Sequence, residues 1–318
     1  MKSYYTIYTN FQKRTGDTSA DSLTVFKEDL NGTNQLVLQH NKWKFLEKTG
    51  TIMTAASTAR YTLFNDLDKI MEVKVQNAAG TIFYNPKPVE DPAFWEYLQS
   101  LNTAASDVTE YYYQEGNDLL LYPNYLTASD TITVRYRRRQ NELSRDDYTT
   151  GTIAAITNGD ETLTGTTTSW TSRKPIGEQW IRLSTTSGDG DYTWYRVDSI
   201  TSDTELELET DYQGTTFTGK TLSYTIGEFS IIPGDYHDLL YYRPMALYYE
   251  SLEDITMADR MWRKYDGGYE AGLSPVLGGL LGQMIENESG MQDTGYMSPQ
   301  DSEMVRDNNF PPAGATLS

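Results

Sequence analysis

Few side chains in this sequence are suited to chemistry. It has two histidines, His40 and His237, and no cysteine, so a thiolate nucleophile, a thiolate metal site and a disulfide are excluded. Both histidines fall in predicted helices. No further histidine or carboxylate has the spacing that would complete a metal site or an acid–base pair around either of them. We therefore interpret both histidines as structural.

The motifs of common enzyme families are also missing. The sequence has no Gly-x-Ser-x-Gly elbow, no phosphate-binding loop and no Gly-x-Gly-x-x-Gly after a strand. The run 187–191 (SGDGD) resembles part of a calcium loop, but it lacks the ligand series that ends in a bidentate glutamate, so we interpret it as a β-turn. Asp146 and Asp147 are interpreted as solvated loop charges. The sequence thus predicts a protein that is not an enzyme and needs no metal or cofactor.

One basic cluster is present, formed by Arg135, Arg137, Arg138 and Arg139. It could contact an acidic neighbouring subunit or DNA phosphates. Alternatively, it is the charged end of a strand and discourages edge-to-edge pairing. The 318 residues carry a formal net charge of −19, which argues against wrapping of nucleic acid or of an anionic membrane. If the cluster has a partner, we expect a protein rather than DNA.

Tyrosine is abundant, with 25 residues against 9 phenylalanines. Its ring has a large apolar face and a polar tip, which suits wet protein–protein contacts and exposed faces of β-sheets equally well. In the stretch 231–268, aromatic residues recur within predicted helices. We expect them to close a core or to contact a neighbouring subunit, and together with the four arginines they are the candidate interface: Tyr241, Tyr242, Tyr248, Tyr249, Trp262 and Tyr265.

Membrane insertion and secretion are not expected. No apolar run approaches the roughly 20 residues that a membrane helix needs, and the first ten residues lack the apolar core of a signal peptide. The absence of cysteine is compatible with a reducing, cytosolic origin.

The N-terminal region is predicted to form a helical hairpin after an irregular stretch, 1–16. The first helix is capped within 17–19 and ends at Asn31-Gly32, and the second runs from about 33 to 50. Two helices of this length are too short to be stable alone and need a packing partner.

A second pair of helices is predicted in the stretch 231–268. Pro244 removes one backbone hydrogen bond, so we expect a kink or a break there. Asp254 or Thr256 should cap the second helix of the pair, which ends at Gly267-Gly268. We expect this pair to pack with the N-terminal helices.

Between the helical regions the hydrophobic period changes to two. A hairpin is predicted at 70–84, a helix capped by Asp91 follows, and Ile132, Val134 and Tyr136 mark the inner face of a strand. Residues 149–227 are rich in Thr, Gly, Ser and Asp and have turns at the spacing of a small barrel or sandwich. Their strand candidates are 152–156, 179–183, 193–197, 205–209 and 221–226.

The predicted fold class is α+β, in four parts. A small helical core is formed by N- and C-terminal segments, 1–50 and 228–270. A β-sheet region with one short helix occupies 51–148, and an inserted all-β barrel or sandwich domain occupies 149–227. The remainder, 271–318, is predicted to be an extended acidic tail, apart from an apolar patch around 276–285.

Several short segments match a known arrangement. They are 61–66 (YTLFND), 119–123 (LLLYP), 131–136 (TITVRY) and 232–240 (IPGDYHDLL). With the order of helices and sheets, they resemble the head-to-tail connector proteins of tailed bacteriophages, also called adaptors or head-completion proteins. The inserted domain resembles the Gly/Thr-rich β modules of phage neck and tail proteins through 165–171 (GTTTSWT) and 199–204 (SITSDT).

The resemblance implies a virion structural protein. It would form a homo-oligomeric, commonly dodecameric ring that joins the portal protein to tail or neck proteins and passes genomic DNA without specific binding. It would be made in the host cytoplasm, be located in the virion neck and have no membrane partner. An acidic lumen would repel phosphates and let DNA slide. The alternative is a receptor- or glycan-binding tail protein, with the β domain and tyrosines as a sugar platform.

Overall fold

The protein was described from a computed structural model. The described residues are 1–56, 58–81, 83–101, 106, 108–125, 128–174, 177–184, 190–267 and 278–288. They divide into two compact units. The first unit combines Met1–Lys44 with the described residues from Glu142 onward, and the second is Phe45–Asn141. The fold is mixed α+β, as predicted.

The described chain contains six α-helices and fifteen strands. The helices are α1 (Tyr4–Thr15), α2 (Ala20–His40), α3 (Pro92–Ser100), α4 (Leu239–Ser251), α5 (Ile255–Tyr265) and α6 (Gly279–Glu288). The strands are β1 (Glu47–Met53), β2 (Thr58–Thr62), β3 (Leu67–Gln76), β4 (Phe83–Tyr84), β5 (Lys87–Pro88), β6 (Tyr111–Glu115), β7 (Asp118–Tyr125), β8 (Thr131–Arg138), β9 (Thr152–Ile156), β10 (Thr162–Thr166), β11 (Gln179–Leu183), β12 (Trp194–Ser202), β13 (Glu205–Leu208), β14 (Phe217–Leu222) and β15 (Tyr224–Glu228). None of these helices is both long enough and apolar enough to cross a membrane.

The first residues form a helix, so the prediction of an irregular N-terminus is wrong. The hydroxyl of Ser3 caps α1 by accepting a hydrogen bond from the Thr6 amide at 3.2 Å. Gly16 ends the helix in the left-handed region, with φ +71°. Ile7 and Phe11 are buried together with Tyr4 and Tyr8, and this helical stripe is recognisable only if tyrosine is counted as apolar.

One continuous helix of 21 residues, α2, replaces the predicted hairpin. Ser19 caps it, within the predicted stretch. The side chain of Asn31 donates to the Leu143 carbonyl and accepts from the Leu143 amide, both at 2.9 Å. It therefore does not cap a helix end at Asn31-Gly32. The stretch 47–50, predicted to be helical, belongs to β1 instead. Burial of Leu30 and Val37 on either side of Gly32 outweighs the cost of about 1 kcal/mol that glycine imposes on a helix.

The helical core unites both ends of the chain. Phe11 of α1 stacks on Phe26 of α2 with ring centroids 4.4 Å apart, and Tyr248 of α4 meets Phe11 edge-on at 4.9 Å. Tyr241 lies 6.3 Å from Phe26. The helix α4 continues through the buried Pro244, so a break there is excluded. Packing of α4 on α2 and α5 compensates for the backbone hydrogen bond that proline cannot make.

The second unit contains two four-stranded sheets, ordered β1-β8-β3-β4 and β2-β7-β6-β5. Ile132, Val134 and Tyr136 of β8 are fully buried in the core between the sheets, as predicted. The helix α3 begins as predicted, with Asp91 accepting from the Ala93 amide at 2.9 Å. Its Trp95 packs on the outer face of the second sheet, together with Leu98. Phe94 of the same helix is 40% exposed.

The region predicted to be an inserted β domain contains one seven-stranded sheet, ordered β14-β9-β10-β13-β12-β11-β15. It includes β10, which the sequence analysis missed. A turn at Asn158-Gly159 joins β9 to β10, and Gly159 has φ +81°. Tyr148, which lies outside the named strands, also pairs with Ile226 of β15 through two backbone hydrogen bonds of 2.8 and 2.9 Å. Because Tyr148 leads into β9, this pairing curls the sheet toward a barrel.

Part of the predicted tail is helical. The helix α6 covers most of the predicted apolar patch around 276–285, and its Leu281 and Met284 are buried. Residues 289–318 lie outside the described chain, so their extended state stays a prediction, as does the four-part domain division.

Candidate functional site

The arginine cluster lies at the end of β8. Arg135 and Arg137 alternate with the buried side chains of the strand. Arg135 pairs with Glu47 of the neighbouring β1, and this carboxylate raises the pKa of the guanidinium. The Nε of Arg137 is 3.4 Å from the Oδ2 of Asp68. Both cations are therefore compensated by acidic residues of adjacent strands.

The other two arginines, Arg138 and Arg139, differ from each other in environment. Arg138 donates from Nε and Nη2 to the Phe45 carbonyl, at 3.3 and 3.1 Å. Arg139 is exposed, and its backbone amide donates to the Asp66 carbonyl at 2.7 Å. The side chains of Arg135, Arg137 and Arg138 are thus each held by a contact within the second unit. Their pairing favours the interpretation of a charged strand end over that of a phosphate site.

The aromatic residues of α4 and α5 divide into two groups. Tyr241 and Tyr265 are buried in the helical core, and burial raises the pKa of each to about 12. Their rings pack within the subunit. The other four are half-buried and keep some surface for a partner: Tyr242, Tyr248, Tyr249 and Trp262.

Polar contacts hold two of the half-buried rings. The Nε1 of Trp262 donates to the Oε1 of Glu250 at 2.7 Å and so ties α5 to α4. The hydroxyl of Tyr248 donates to the Oδ2 of Asp17 at 3.2 Å. These rings are held in place by their partners and form a rigid, partly exposed surface.

The junction of α4 and α5 carries two exposed aliphatic side chains that were not predicted from the sequence. Leu252 is 56% exposed and Ile255 is 62% exposed; we call this pair the apolar tip. Glu253 between them has φ +59°, a left-handed conformation that is strained for a residue with a side chain. The Oδ1 of Asp254 caps α5 by accepting from the Met257 amide at 3.1 Å. Adjacent exposed apolar residues on a fixed turn are typical of a protein contact.

The tip could have been found from the sequence. Leu252 and Ile255 lie just outside the buried stripes of the two predicted helices, next to the capping residue Asp254. Their neighbours Glu253 and Asp254 are both charged, which favours exposure of this junction. That pattern is a usable signal for an exposed contact.

The two histidines occupy contrasting environments. His237 is 1% exposed; its Nδ1 accepts from the Lys2 amide at 3.0 Å and its Nε2 donates to the Ile232 carbonyl at 2.8 Å. It fastens the N-terminus to the start of the C-terminal helices. His40 is exposed. Within the described residues, no group of three or more His, Asp or Glu side chains is placed to hold a metal ion.

The carboxylates singled out from the sequence differ in environment. Asp146 is exposed and accepts a hydrogen bond from the Tyr8 hydroxyl. Asp147 is half-buried, and desolvation raises its pKa, so its interpretation as a solvated loop charge is wrong. Most of the run 187–191 lies outside the described residues.

We expect a pH dependence of stability that depends on His237. Burial lowers the pKa of His237 from its usual 6.5, so the unfolded chain binds the proton more tightly. This stability is complete above about pH 6.5 and is lost as the pH falls from there toward the folded-state pKa. Urea unfolding followed from about pH 7.5 to 5.5 should show a shallower loss in His237→Gln than in the wild type.

The exposed histidine provides the control for this experiment. His40→Gln replaces an exposed imidazole by the same amide and should keep the pH slope of the wild type. Equal slopes in all three proteins would show that His237 is not held neutral by burial.

A family model matches part of the chain. No curated protein matches the chain. Residues 4–161 match the family model described as SU10 adaptor protein. The matched stretch covers α1, α2, the second unit and β9, and so includes three of the segments on which the resemblance to phage connectors was based. Over these residues the chain resembles the SU10 adaptor protein family, which is consistent with the structural role of a phage head-tail adaptor.

Proposed function

We propose that this adaptor forms a homo-oligomeric, dodecameric ring in the virion neck, after synthesis in the host cytoplasm. The ring joins the portal protein to tail or neck proteins and serves as a conduit for the genome. The observation that carries this proposal is the match of residues 4–161 to the SU10 adaptor family. A helical core formed by both ends of the chain supports it, because such a core gives each subunit a rigid body for repeated contacts.

Charge supports passage of DNA rather than its capture. The chain has a formal net charge of −19, and Arg135 and Arg137 are paired with acidic residues. Specific or tight DNA binding needs clustered cations that are free to contact phosphates. A channel lined by this surface repels the phosphate backbone and lets DNA slide.

The apolar tip is the proposed contact with the next subunit. Leu252 and Ile255 are exposed on a turn held by the Asp254 cap, and the half-buried Trp262 and Tyr249 belong to the same helix pair. Burial of an aliphatic side chain contributes about 1.5–3 kcal/mol. Two such side chains give the contact enough energy to matter in a ring, where each subunit repeats it.

Serine substitutions at the tip test this contact. The double variant Leu252→Ser/Ile255→Ser should weaken assembly by roughly 100-fold, because about 3 kcal/mol of apolar burial is lost. Sedimentation velocity of the protein mixed with its portal measures the assembled fraction. Since both side chains are exposed, the isolated subunit should stay folded.

The matched control is Leu36→Ser, which removes an equally exposed leucine from α2. It should assemble as the wild type does. Assembly of the double variant at wild-type concentrations would exclude the tip from the interface.

A further inference from the structure

The helix α3 of the second unit carries a further exposed apolar surface. Phe94, Tyr97 and the C-cap residue Leu101 follow one another at i, i+3 and i+7, so they share one side of the helix. Tyr97 is 58% exposed and Leu101 is 49% exposed. A different side of the helix, with Trp95 and Leu98, packs on the sheet. We call Phe94, Tyr97 and Leu101 the α3 stripe.

The rings of the α3 stripe are held in place. Phe94 stacks on Tyr97 with ring centroids 6.3 Å apart and meets Tyr111 of β6 edge-on at 5.9 Å. Neighbouring exposed apolar residues on one side of a helix are typical of a protein contact. A surface that is already ordered loses little conformational entropy on binding. The stripe is therefore suited to receive an apolar surface of a partner.

Acidic residues gather near the start of α3. Glu90, Asp91 and Glu96 are all exposed, and the stretch 88–101 contains no Lys or Arg. The helix is therefore acidic toward its N-terminal end and apolar at its C-terminal end, where Leu101 lies.

The helix α5 has the complementary arrangement. Its first residue, Ile255, belongs to the apolar tip. Arg260, Arg263 and Lys264 are exposed toward its C-terminal end. Asp259, the single acidic residue of the helix, pairs with Arg263 at 2.8 Å. Three cations against one carboxylate give α5 a net charge of +2, in a chain whose net charge is −19.

The two helices also match in length. At a rise of about 1.5 Å per residue, Asp91 and Leu101 are about 15 Å apart along α3, and Ile255 and Lys264 are about 14 Å apart along α5. In an antiparallel pair, the apolar ends of the two helices therefore meet, and the basic end of α5 meets the acidic end of α3.

We propose that the apolar tip and α5 of one copy pack antiparallel on the α3 stripe of a neighbouring copy. Because the two surfaces differ, the contact is heterologous, and such a contact generates a ring when its rotation closes. The tip carboxylates, Glu253 and Asp254, then lie beside the uncharged Gln99 and Ser100 and meet no like charge. This inference rests on the proposed ring and names the surface that receives the tip.

Charge reversal tests the antiparallel sense of the contact. Glu90→Lys places a cation opposite the basic end of α5 and should weaken assembly about fivefold, which is the scale of an exposed ion pair. Arg260→Glu should weaken it to a similar extent. The double variant should assemble as the wild type does, because the reversed charges attract again. A double variant that assembles no better than the single variants would overturn the antiparallel sense.

Cross-linking tests the contact itself, because the chain contains no cysteine and an introduced thiol is unique. One protein carries Ser100→Cys beside Leu101, and a second carries Thr256→Cys beside Ile255; both positions are exposed. The two proteins are mixed, the portal is added and a short bismaleimide is applied. The 100–256 cross-link, identified by mass spectrometry, should form on the order of 100-fold faster than by collision, since a contact holds the thiols at millimolar effective concentration.

The matched control is Thr24→Cys, which replaces an exposed threonine of α2 and should cross-link to Ser100→Cys at the rate of collision. Sedimentation velocity of the same mixtures measures assembly with the portal. Full assembly with 100–256 cross-linking no faster than the control would overturn this contact and leave the ring standing. A wild-type protein that does not assemble with its portal would overturn the ring and this contact together.

Discussion

Replacement of Phe26 by alanine is expected to lower the free energy of unfolding of the helical core by about 3–5 kcal/mol. Phe26 is buried on α2 and stacks on Phe11 of α1 at 4.4 Å with a ring angle of 16°. It also faces Tyr241 of α4. The ring therefore joins three helices from both ends of the chain, and no neighbour can fill its place without moving a whole helix.

Urea unfolding followed by circular dichroism measures this loss. Val25 is the neighbouring residue and is exposed, so Val25→Ala should change the stability by less than about 0.5 kcal/mol. A small effect of Phe26→Ala would mean that the N-terminal helices are not an integral part of the core.

Trp170→Ala should have a similarly large effect on the inserted sheet, about 3–5 kcal/mol. Trp170 is fully buried, and its Nε1 donates to the Tyr224 hydroxyl at 2.9 Å. That hydroxyl donates in turn to the Thr150 carbonyl at 2.5 Å. Loss of the indole therefore removes core volume and leaves a buried hydroxyl without its donor.

Hydrogen exchange of the amides in β9 to β15 locates this effect. Protection should fall across the sheet while the amides of the second unit, Phe45–Asn141, keep theirs. Tyr192→Ala, at an exposed position, should leave the sheet protected. Unchanged protection in Trp170→Ala would show that the sheet does not depend on the core around this tryptophan.

The sequence predicted those elements that depend on only a few consecutive residues. The alternation of Ile132, Val134 and Tyr136 predicted β8, and Asp91 followed by proline predicted the start of α3. The α+β class followed from the change of hydrophobic period. Each of these features depends on a few consecutive residues, which is the range over which periodicity and capping act.

Features set by distant contacts were not predicted. The path of α2 through Asn31-Gly32 depends on Leu143, more than a hundred residues away. The continuity of α4 at Pro244 depends on packing against α2 and α5. The pairing of Tyr148 with Ile226 likewise joins distant parts of the chain. Tertiary packing outweighs local propensity at all of these positions.

The candidate interface residues were likewise only partly predictable from local patterns in the sequence. Composition singled out the arginines and tyrosines, but only the fold reveals that Arg135 has Glu47 as a partner and that Tyr241 lies in the core. For Leu252 and Ile255 the sequence held a local sign of exposure, because both lie beside the capping residue Asp254 and outside the buried stripes of the helices. Burial and ion pairing are properties of the folded chain.

Electron microscopy of the purified protein mixed with its portal is the most direct measurement of the proposed function. Ring assembly predicts particles of about twelvefold symmetry with the adaptor stacked on the portal around an open channel. Monomers that stay free of the portal, or trimeric rods with measurable affinity for glycans, would contradict the proposed ring and favour a receptor-binding tail protein.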